Sequence, residues 1–260
     1  MKKNKTIFIT GAASGIGRAT ALHFAKNGWF VGLFDINKSA LAKIHDEVGK
    51  DNSCFMEMDV TDLSSVKASA DFFASCTKER MDVLFNCAGI LRMGMFDQID
   101  IDAQKKIIDI NVNGILNCID SCLPVLKKTK DSRILNMSSA SAVYGVPELA
   151  AYSASKFAVR GLTEALNIEF EAFGITVSDI MAPYVQTPML SEATVVATSV
   201  DRLGVRLTPE IVAETVWKAA HGKKVHWKTG LFLKLMAFAS HCFPFANRIV
   251  IKLLCYSNKK

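Results

Sequence analysis

The segment Thr10-Gly11-Ala12-Ala13-Ser14-Gly15-Ile16-Gly17 decides the fold, because it joins a predicted strand to a predicted helix. The apolar residues Thr6–Thr10 have the composition of a buried strand, and residues 15–27 have a helical pattern. Glycines at such a turn let backbone N–H groups approach a phosphate, and the helix start adds favourable dipole charge. A glycine-rich turn alone is weak evidence, but its place after the first strand predicts a pyrophosphate site.

Outward from this turn, short apolar runs alternate with longer helical patterns. Strands are predicted near Thr6–Thr10, Phe30–Phe34, Ser53–Met58, Val83–Phe85, Arg133–Met137 and Thr176–Ile180. Helices are predicted near Gly15–Asn27, Lys38–Val48, Leu63–Thr77, Ala103–Lys127, Ala151–Phe173 and Pro209–Ala220. This order predicts an α/β fold, with a single doubly wound, Rossmann-type parallel sheet flanked by helices and a ligand at the carboxyl ends of its strands. We expect one domain over residues 1–229 and an apolar, basic helical extension over residues 230–260.

The composition excludes a disordered chain and a disulfide scaffold. Of the 260 residues, 50% are hydrophobic and 22% are charged, which is enough to form one large core. Seven cysteines, an odd number at irregular spacing, favour a reducing compartment, so we expect a cytoplasmic protein. Cys118 and Cys122 could share a helix face, but no cluster of histidines or cysteines accompanies them, and we predict no metal site.

A second group of residues carries the chemistry. Tyr152 and Lys156 are four residues apart, so they share one face of the predicted helix. A phenol of pKa ~10 is a poor base at neutral pH, and a neighbouring ammonium favours its ionised form. The pair occurs by chance in many helices, but here Ser139 lies thirteen residues before Tyr152, close after the apolar run 134–137.

Together these motifs resemble the short-chain dehydrogenase/reductase family from about Lys5 to about His221. The resemblance implies an NAD(P)-dependent enzyme that moves a hydride between nicotinamide and a secondary alcohol or ketone. Tyr152 would be the acid/base, and Lys156 would lower its pKa and hold the nicotinamide ribose. Ser139, favoured over Ser138 by its spacing, would donate to the substrate oxygen. Asn111 would kink its helix and hold a water that links Lys156 to solvent.

The resemblance also implies the residues that contact the cofactor. They are Gly11, Ser14, Gly15, Ile16, Gly17, Asp35, Asp59, Val60, Asn86, Ala88, Gly89, Tyr152, Lys156, Val185 and Thr187. Asp35 ends the second strand, where a carboxylate accepts hydrogen bonds from the ribose hydroxyls and repels a 2′-phosphate. It could instead cap the next helix, and Arg18 is a basic residue nearby. We predict a preference for NAD over NADP.

The segment Pro183-Tyr184-Val185-Gln186-Thr187 departs from the family pattern, which has a glycine after the proline. Tyr184 is expected to crowd this turn and to alter the substrate loop, residues 188–207. Family members commonly pair the long helices around Asn111 and Tyr152, so the resemblance implies a homodimer or homotetramer.

The end of the chain departs most from the family. Glu214 is the last acidic residue, and nine basic residues follow it, leaving about −3 of the total charge of +6 for the rest. Residues 230–256 are apolar but interrupted by Lys234, Pro244, Arg248 and Lys252, so a spanning helix is not predicted. This segment is either a surface-lying helix attracted to anionic lipid, giving peripheral membrane contact, or a cap over the cleft or a subunit partner.

Both interpretations favour a lipophilic substrate, such as a steroid, retinoid, fatty acyl or other long-chain compound, although a polyol or sugar stays possible. The alternative is a non-catalytic dinucleotide-binding sensor or scaffold at a membrane surface. The presence of Asn111, Ser139, Tyr152 and Lys156 together favours the enzyme. Nucleic acid is not an expected partner, because no recognition motif accompanies the basic tail.

Overall fold

The computed structural model describes residues 4–256, and its centre is a seven-stranded parallel sheet. The strands are β1 (Thr6–Thr10), β2 (Phe30–Asp35), β3 (Ser53–Glu57), β4 (Val83–Asn86), β5 (Arg133–Met137), β6 (Thr176–Met181) and β7 (His226–Lys228). Their order across the sheet is β3-β2-β1-β4-β5-β6-β7. The predicted doubly wound, Rossmann-type fold is confirmed.

Helices cover both faces of the sheet. They are α1 (Gly15–Lys26), α2 (Lys38–Val48), α3 (Leu63–Thr77), α4 (Ile101–Ile108), α5 (Gly114–Lys128), α6 (Ala150–Glu169), α7 (Pro188–Ser191), α8 (Thr198–Leu203), α9 (Pro209–Ala219), α10 (Leu231–Cys242) and α11 (Asn247–Cys255). One difference from the sequence prediction concerns Ala103–Lys127, expected as a single helix. A π-helical turn at Asp109–Asn113 separates α4 from α5.

Apolar side chains cover both faces of the sheet, as is usual for a parallel sheet with helices on both sides. On one face, Phe8 stacks on Phe34 with ring centroids 3.8 Å apart, and Phe73 meets Phe8 edge to face. On the other face, the ring of Phe24 meets Trp29 and Trp217 edge to face at 5.0 Å. These large rings fill the two layers between sheet and helices.

The sheet reverses its winding between β1 and β4, and this places the ligand crevice. The Thr10 hydroxyl accepts hydrogen bonds from the N–H groups of Cys87 and Ala88, each at 3.0 Å. A Cβ on Gly11 would lie 2.8 Å from the Cα of Ala88. The loops that follow β1 and β4 therefore lie in direct contact at the carboxyl edge of the sheet.

The end of the chain folds back over that edge as two helices. We call α10, the turn Pro244–Ala246 and α11 the tail hairpin. Leu233 is buried against Ala142 and Met181. The Arg202 guanidinium of α8 donates to the backbone carbonyls of Leu253 and Tyr256, which holds α11 on the substrate loop.

Among residues 4–256, no helix combines the length and the apolar character needed to cross a membrane. All seven cysteines lie within this range and are free thiols. Cys118 and Cys122 face the core from α5, where burial raises the pKa of Cys118 to about 12. They pack as small apolar side chains.

The close approach of α1 to the loop after β1 can be tested at Gly17. A Cβ there would lie 2.0 Å from the carbonyl oxygen of Gly11, so Gly17→Ala should lower the free energy of unfolding by about 2–3 kcal/mol. Gly161→Ala is the matched control, since a Cβ at that position in α6 meets nothing within 4 Å. Urea denaturation measures both, and equal stability of the two variants would contradict this packing.

Candidate active site

A cavity of about 820 Å³ lies at the carboxyl edge of the sheet. The loops after β1, β2, β3 and β4 line one half of it. The ends of β5 and β6, the first turns of α6, the substrate loop and the tail hairpin line the other half. The cavity thus lies where a doubly wound sheet is expected to bind its ligand.

The start of α1 gives the first half of the cavity an anion-binding surface. Residues 14–17 line it, and Ser14 precedes the helix in an extended conformation without capping it through its side chain. The N–H groups of the first helical turn have no intrahelical partner, so they are available to a phosphate. Gly15 packs closely against Thr187 at this side of the cavity. A Cβ at position 15 would lie 3.1 Å from the Thr187 methyl group.

Asp35 lies at the cavity edge with its carboxylate partly engaged. One oxygen accepts from the N–H of Ala13 at 3.1 Å, and the other accepts from the N–H of Asn37 at 3.0 Å. The cap of α2 is Asn37, whose side chain accepts from the N–H of Ala40, so the capping interpretation of Asp35 is wrong. Among residues 4–256, each carboxylate oxygen accepts one of these hydrogen bonds, which leaves each a lone pair for a further donor.

The adjoining wall comes from the ends of β3 and β4. Asp59, Val60, Ala88 and Gly89 line the cavity. The Asp59 carboxylate also closes its own turn, by accepting from the N–H of Thr61 at 2.9 Å. These residues therefore present backbone and small side chains to a ligand.

Asn86 does not line the cavity, contrary to the sequence expectation. Its side chain is buried and donates to the Asn136 oxygen at 2.9 Å, and Asn136 donates in turn to the Thr163 hydroxyl. The reason is the two-residue alternation of β4, which turns this amide toward β5 and α6. Asn86 thus links β4 to β5, and through Asn136 to α6, beneath the cavity.

Asn111 also lies behind the cavity wall, fully buried within the π-helical turn. Its amide oxygen accepts from the N–H of Ile90 at 2.8 Å, and its nitrogen donates to the Ile90 carbonyl and the Ser155 hydroxyl. The resemblance implied a kink at Asn111, and in the structure the hydrogen bonds of its side chain go to the β4 loop and α6. The role of this amide in the structure is to position those two elements.

Three side chains converge in the second half of the cavity: Ser139, Tyr152 and Lys156. Ser139 follows β5, and its hydroxyl accepts from the N–H of Ser141 at 3.1 Å and acts to lower the pKa of Tyr152. Ser138, the competing serine, has a buried hydroxyl with no partner among residues 4–256. The effect on the pKa of Tyr152 distinguishes Ser139 from its neighbour.

Tyr152 and Lys156 share one face of α6, and burial has the largest effect on the pKa of each. Burial raises the pKa of Tyr152 to about 12, and the hydrogen bond with Ser139 acts in the opposite direction. The Lys156 ammonium donates to the Met137 carbonyl at 2.8 Å and lies 5.5 Å from the centre of the Tyr152 ring. Burial lowers the pKa of Lys156 to about 8. Burial is therefore the largest influence on the pKa of the phenol in this structure, and the lowering by Lys156 that the resemblance implies stays a prediction.

The segment around Tyr184 accommodates its side chain without strain. Positive φ at non-glycine residues occurs, among residues 4–256, at Lys78, Glu79, Asp131 and Glu148, so Tyr184 needs no glycine-like backbone. Its ring packs with Leu149 beside Tyr152, and its hydroxyl lies 2.5 Å from that of Ser199. Val185 and Thr187 line the cavity on either side of Gln186. Tyr184 thus connects the reacting group to α8.

The tail hairpin supplies a wall that the sequence interpretation left open. Its lining residues recur at three- and four-residue spacing: Leu233, Met236, Ser240 and Phe243 from α10 and its end, and Asn247, Val250, Ile251 and Leu254 from α11. Other lining residues not predicted include Met58, Cys87, Ile90, Leu91, Leu149 and Leu190. The helical spacing of the tail residues is a sequence signal that could have predicted this wall. The other lining residues are scattered along the chain and show no such pattern.

Known proteins share this fold and sequence. The short chain dehydrogenase family profile matches residues 5–195. Oxidoreductase UcpA of Escherichia coli K12 is 39% identical over 188 residues, which are 71% of each chain. Cyclohexanol dehydrogenase of an Acinetobacter species is 32% identical over 222 residues, covering 82% of this chain and 86% of that protein.

Two solved structures extend the likeness. A short chain dehydrogenase/reductase of Burkholderia phymatum in complex with NAD has a TM-score of 0.84 at 23% identity, covering 95% of this chain and 97% of that one. The 3-ketoacyl-(acyl-carrier-protein) reductase of Brucella melitensis, complexed with NADH, has a TM-score of 0.78 at 27% identity, with 87% and 96% covered.

The fold and the site together define an oxidoreductase. They combine a parallel sheet, a glycine-rich turn after β1, and a cavity of the kind that binds a dinucleotide, with Ser139, Tyr152 and Lys156 in it. The chain belongs to the short-chain dehydrogenase/reductase family.

The buried lysine makes stability depend on pH. The pKa of Lys156 falls from 10.5 to about 8 on folding, so between these values the unfolded chain holds a proton that the folded chain has lost. Stability attributable to this group therefore rises with pH across that window. Relative to Lys156→Met, the wild type should gain about 2 kcal/mol in unfolding free energy between pH 7 and pH 9.5.

Urea denaturation at the two pH values measures the gain, and the exposed Lys43→Met controls for the loss of a surface charge. A difference between wild type and Lys156→Met that stays constant with pH would contradict the lowered pKa.

Proposed function

We propose that this protein is an NAD-dependent oxidoreductase that transfers a hydride between nicotinamide and a secondary alcohol or ketone of a lipophilic compound. The observation that carries the proposal is the meeting of Ser139, Tyr152 and Lys156 in one cavity, between an anion-binding helix start and an apolar wall. Such a cavity can hold a charged dinucleotide and an apolar substrate side by side.

The chain's own groups would handle the proton and the oxygen. Ser139 and Tyr152 both line the cavity, and Ser139 lies near enough to the phenol to lower its pKa, so a carbonyl oxygen placed between them receives two hydroxyl donors. In the reduction direction, the Tyr152 phenol gives its proton to the developing alkoxide, and in oxidation it takes that proton back. When bound, the cofactor supplies the hydride, and its oxidised ring adds a positive charge that favours the phenolate.

The cofactor-binding half fits a dinucleotide on two counts. The N–H groups of residues 14–17, at the start of α1, lack intrahelical partners and could donate to the pyrophosphate. Small residues lie where a ribose would rest, and a Cβ on Gly89 would approach the Asn111 oxygen to 3.0 Å and the Lys156 nitrogen to 3.9 Å. Lys156 would hold that ribose from α6.

The choice of NAD rests on the charges around Asp35. Its carboxylate faces the cavity with lone pairs for two ribose hydroxyls, and the like charge of a 2′-phosphate would be repelled. Arg18, the nearby basic residue, pairs with Glu47 at 2.6 Å and does not line the cavity. Ile36 brings no positive charge to the edge of the site.

The lipophilic substrate rests on the opposite wall. Leu149, Leu190, Met236, Val250 and Leu254 come from three separate parts of the chain and all line the cavity. An apolar substrate that binds there gains ~25 cal/mol in binding free energy for each Å² of apolar surface removed from water. The name of the relative cyclohexanol dehydrogenase supports an apolar alcohol as the substrate class.

A homodimer or homotetramer is part of the proposal. The faces of α5 and α6 expose Leu116, Phe157 and Ile168, which are large apolar side chains on the two long helices that the family pairs. Covering them with a second copy would remove this surface from water.

Cofactor preference should follow Asp35. The double variant Asp35→Ala/Ile36→Arg removes the repelling charge and adds an attracting one, so the ratio of NADPH to NADH affinity should rise by about tenfold or more. Asp46→Ala, an exposed carboxylate on α2, is the control for a general charge effect. Titration calorimetry measures each affinity, and tighter NADPH than NADH binding by the wild type would overturn the NAD assignment.

The reaction should depend on the phenol of Tyr152. Tyr152→Phe keeps the ring and removes the proton, so turnover should fall by about 10²–10⁴-fold while NADH affinity changes only slightly. The assay is a screen of hydrophobic and polyol substrates with NAD(H) and NADP(H) side by side. Full activity in the variant would point to another acid/base, and a wild type that binds NADH but turns over no substrate would favour the non-catalytic sensor. Preferential turnover of polyols would refute the lipophilic substrate.

A further inference from the structure

The tail hairpin is apolar on both sides. Its inner face, with Leu233, Met236 and Val250, lines the cavity. Its outer face carries large apolar residues that the fold leaves uncovered: Leu231, Leu235, Phe238, Phe245, Ile249 and Leu253. A helix that only capped a cleft would place polar residues on its outer face.

The outer residues form rows along the helices. Leu231, Leu235 and Phe238 are spaced four and three residues apart on α10, and Ile249 and Leu253 are four apart on α11. Phe238 is 67% exposed, and Phe245, in the turn between the helices, is 80% exposed. Surface apolar residues are normal when scattered singly, but rows on one small hairpin mark an interaction surface.

The charges of the hairpin identify the partner. Lys234, Arg248 and Lys252 are exposed, and none of them enters a salt bridge within residues 4–256. No acidic residue follows Glu214 in the sequence. Apolar side chains interspersed with uncompensated cations complement a surface that is apolar below and negative above, as an anionic lipid leaflet is.

A second copy of the chain fits this surface poorly. A two-fold contact places the same patch of both copies face to face, so Lys234, Arg248 and Lys252 would meet like charges with no carboxylate from the hairpin to neutralise them. Like-charge contact of this kind disfavours association.

We propose that the tail hairpin docks on an anionic lipid membrane through its outer face, so that the cavity behind it takes its substrate from the bilayer. Phe232 and Phe243 connect the two surfaces, because each lines the cavity and is also 55% exposed. A path from the outer face into the site would therefore be bordered by these two apolar rings. The docking rests on the hairpin alone, and the delivery of substrate rests on the proposed function.

Vesicle sedimentation of the full-length protein tests the docking. The wild type should sediment at low salt with phosphatidylcholine vesicles that contain phosphatidylserine, and much less with phosphatidylcholine alone. Phe238→Ser/Phe245→Ser removes outer apolar surface without touching the cavity and should leave the protein in the supernatant. Phe96→Ser/Ile211→Ser, two exposed apolar residues elsewhere, should bind like the wild type.

Replacing Lys234, Arg248 and Lys252 by glutamine should weaken binding about 100-fold, since each cation near the surface contributes about fivefold. Added salt should also weaken vesicle binding by the wild type, because it screens the attraction between these cations and anionic lipid. NADH titration of every variant checks that the cofactor half remains folded.

Wild-type protein that stays in the supernatant, or outer-face variants that sediment as well as the wild type, would overturn the proposal. A loss of oligomer size in Phe238→Ser/Phe245→Ser without lipid would also overturn it, because the outer face would then be a contact between copies. Sedimentation needs no turnover, so failure to oxidise or reduce any lipophilic compound would count against the proposed function and leave the docking result intact.

Discussion

The contact between the turns after β1 and β4 is the constraint on which the site depends. The Thr10 hydroxyl accepts two backbone N–H groups from the β4 turn, and Gly11 lies so close to Ala88 that a side chain has no room. This contact lies at the point where the sheet reverses its winding. It aims the start of α1 into the crevice and holds Ala88 and Gly89 as the floor on which Lys156 converges from α6.

Most of the fold could be predicted because its signals are local. The strands β1 and β5 and the helices α2 and α3 begin and end at the predicted residues, where apolar runs and helical patterns are bounded by turns. The break between α4 and α5 could not be predicted in this way. It depends on hydrogen bonds from Asn111 to Ile90 and Ser155, which are 21 and 44 residues away in the sequence.

The features of the site also fall into these two groups, those that local sequence signals predict and those that depend on contacts between distant parts of the chain. Motifs predicted the residues that line the cofactor half and the group around Tyr152, because spacing within a strand-turn-helix unit places them. They could not predict that Asn86 turns away from the cavity or that Lys156 donates to the Met137 carbonyl. Nor could they give the direction of the phenol pKa, which burial raises, since burial is a property of the assembled fold. The tail wall required the packing of α11 on α8.

The attachment of α11 to α8 has a consequence for how this protein can change over evolutionary time. Arg202 holds the end of the chain through the backbone carbonyls of Leu253 and Tyr256, which every amino acid provides. Substitutions at the cavity-lining positions of α11 can therefore change the cavity while these two hydrogen bonds are kept, provided the arginine is retained. The shape of this wall can thus change separately from the groups on the sheet, and the last helix is the part of the chain where such change costs Ser139, Tyr152 and Lys156 least.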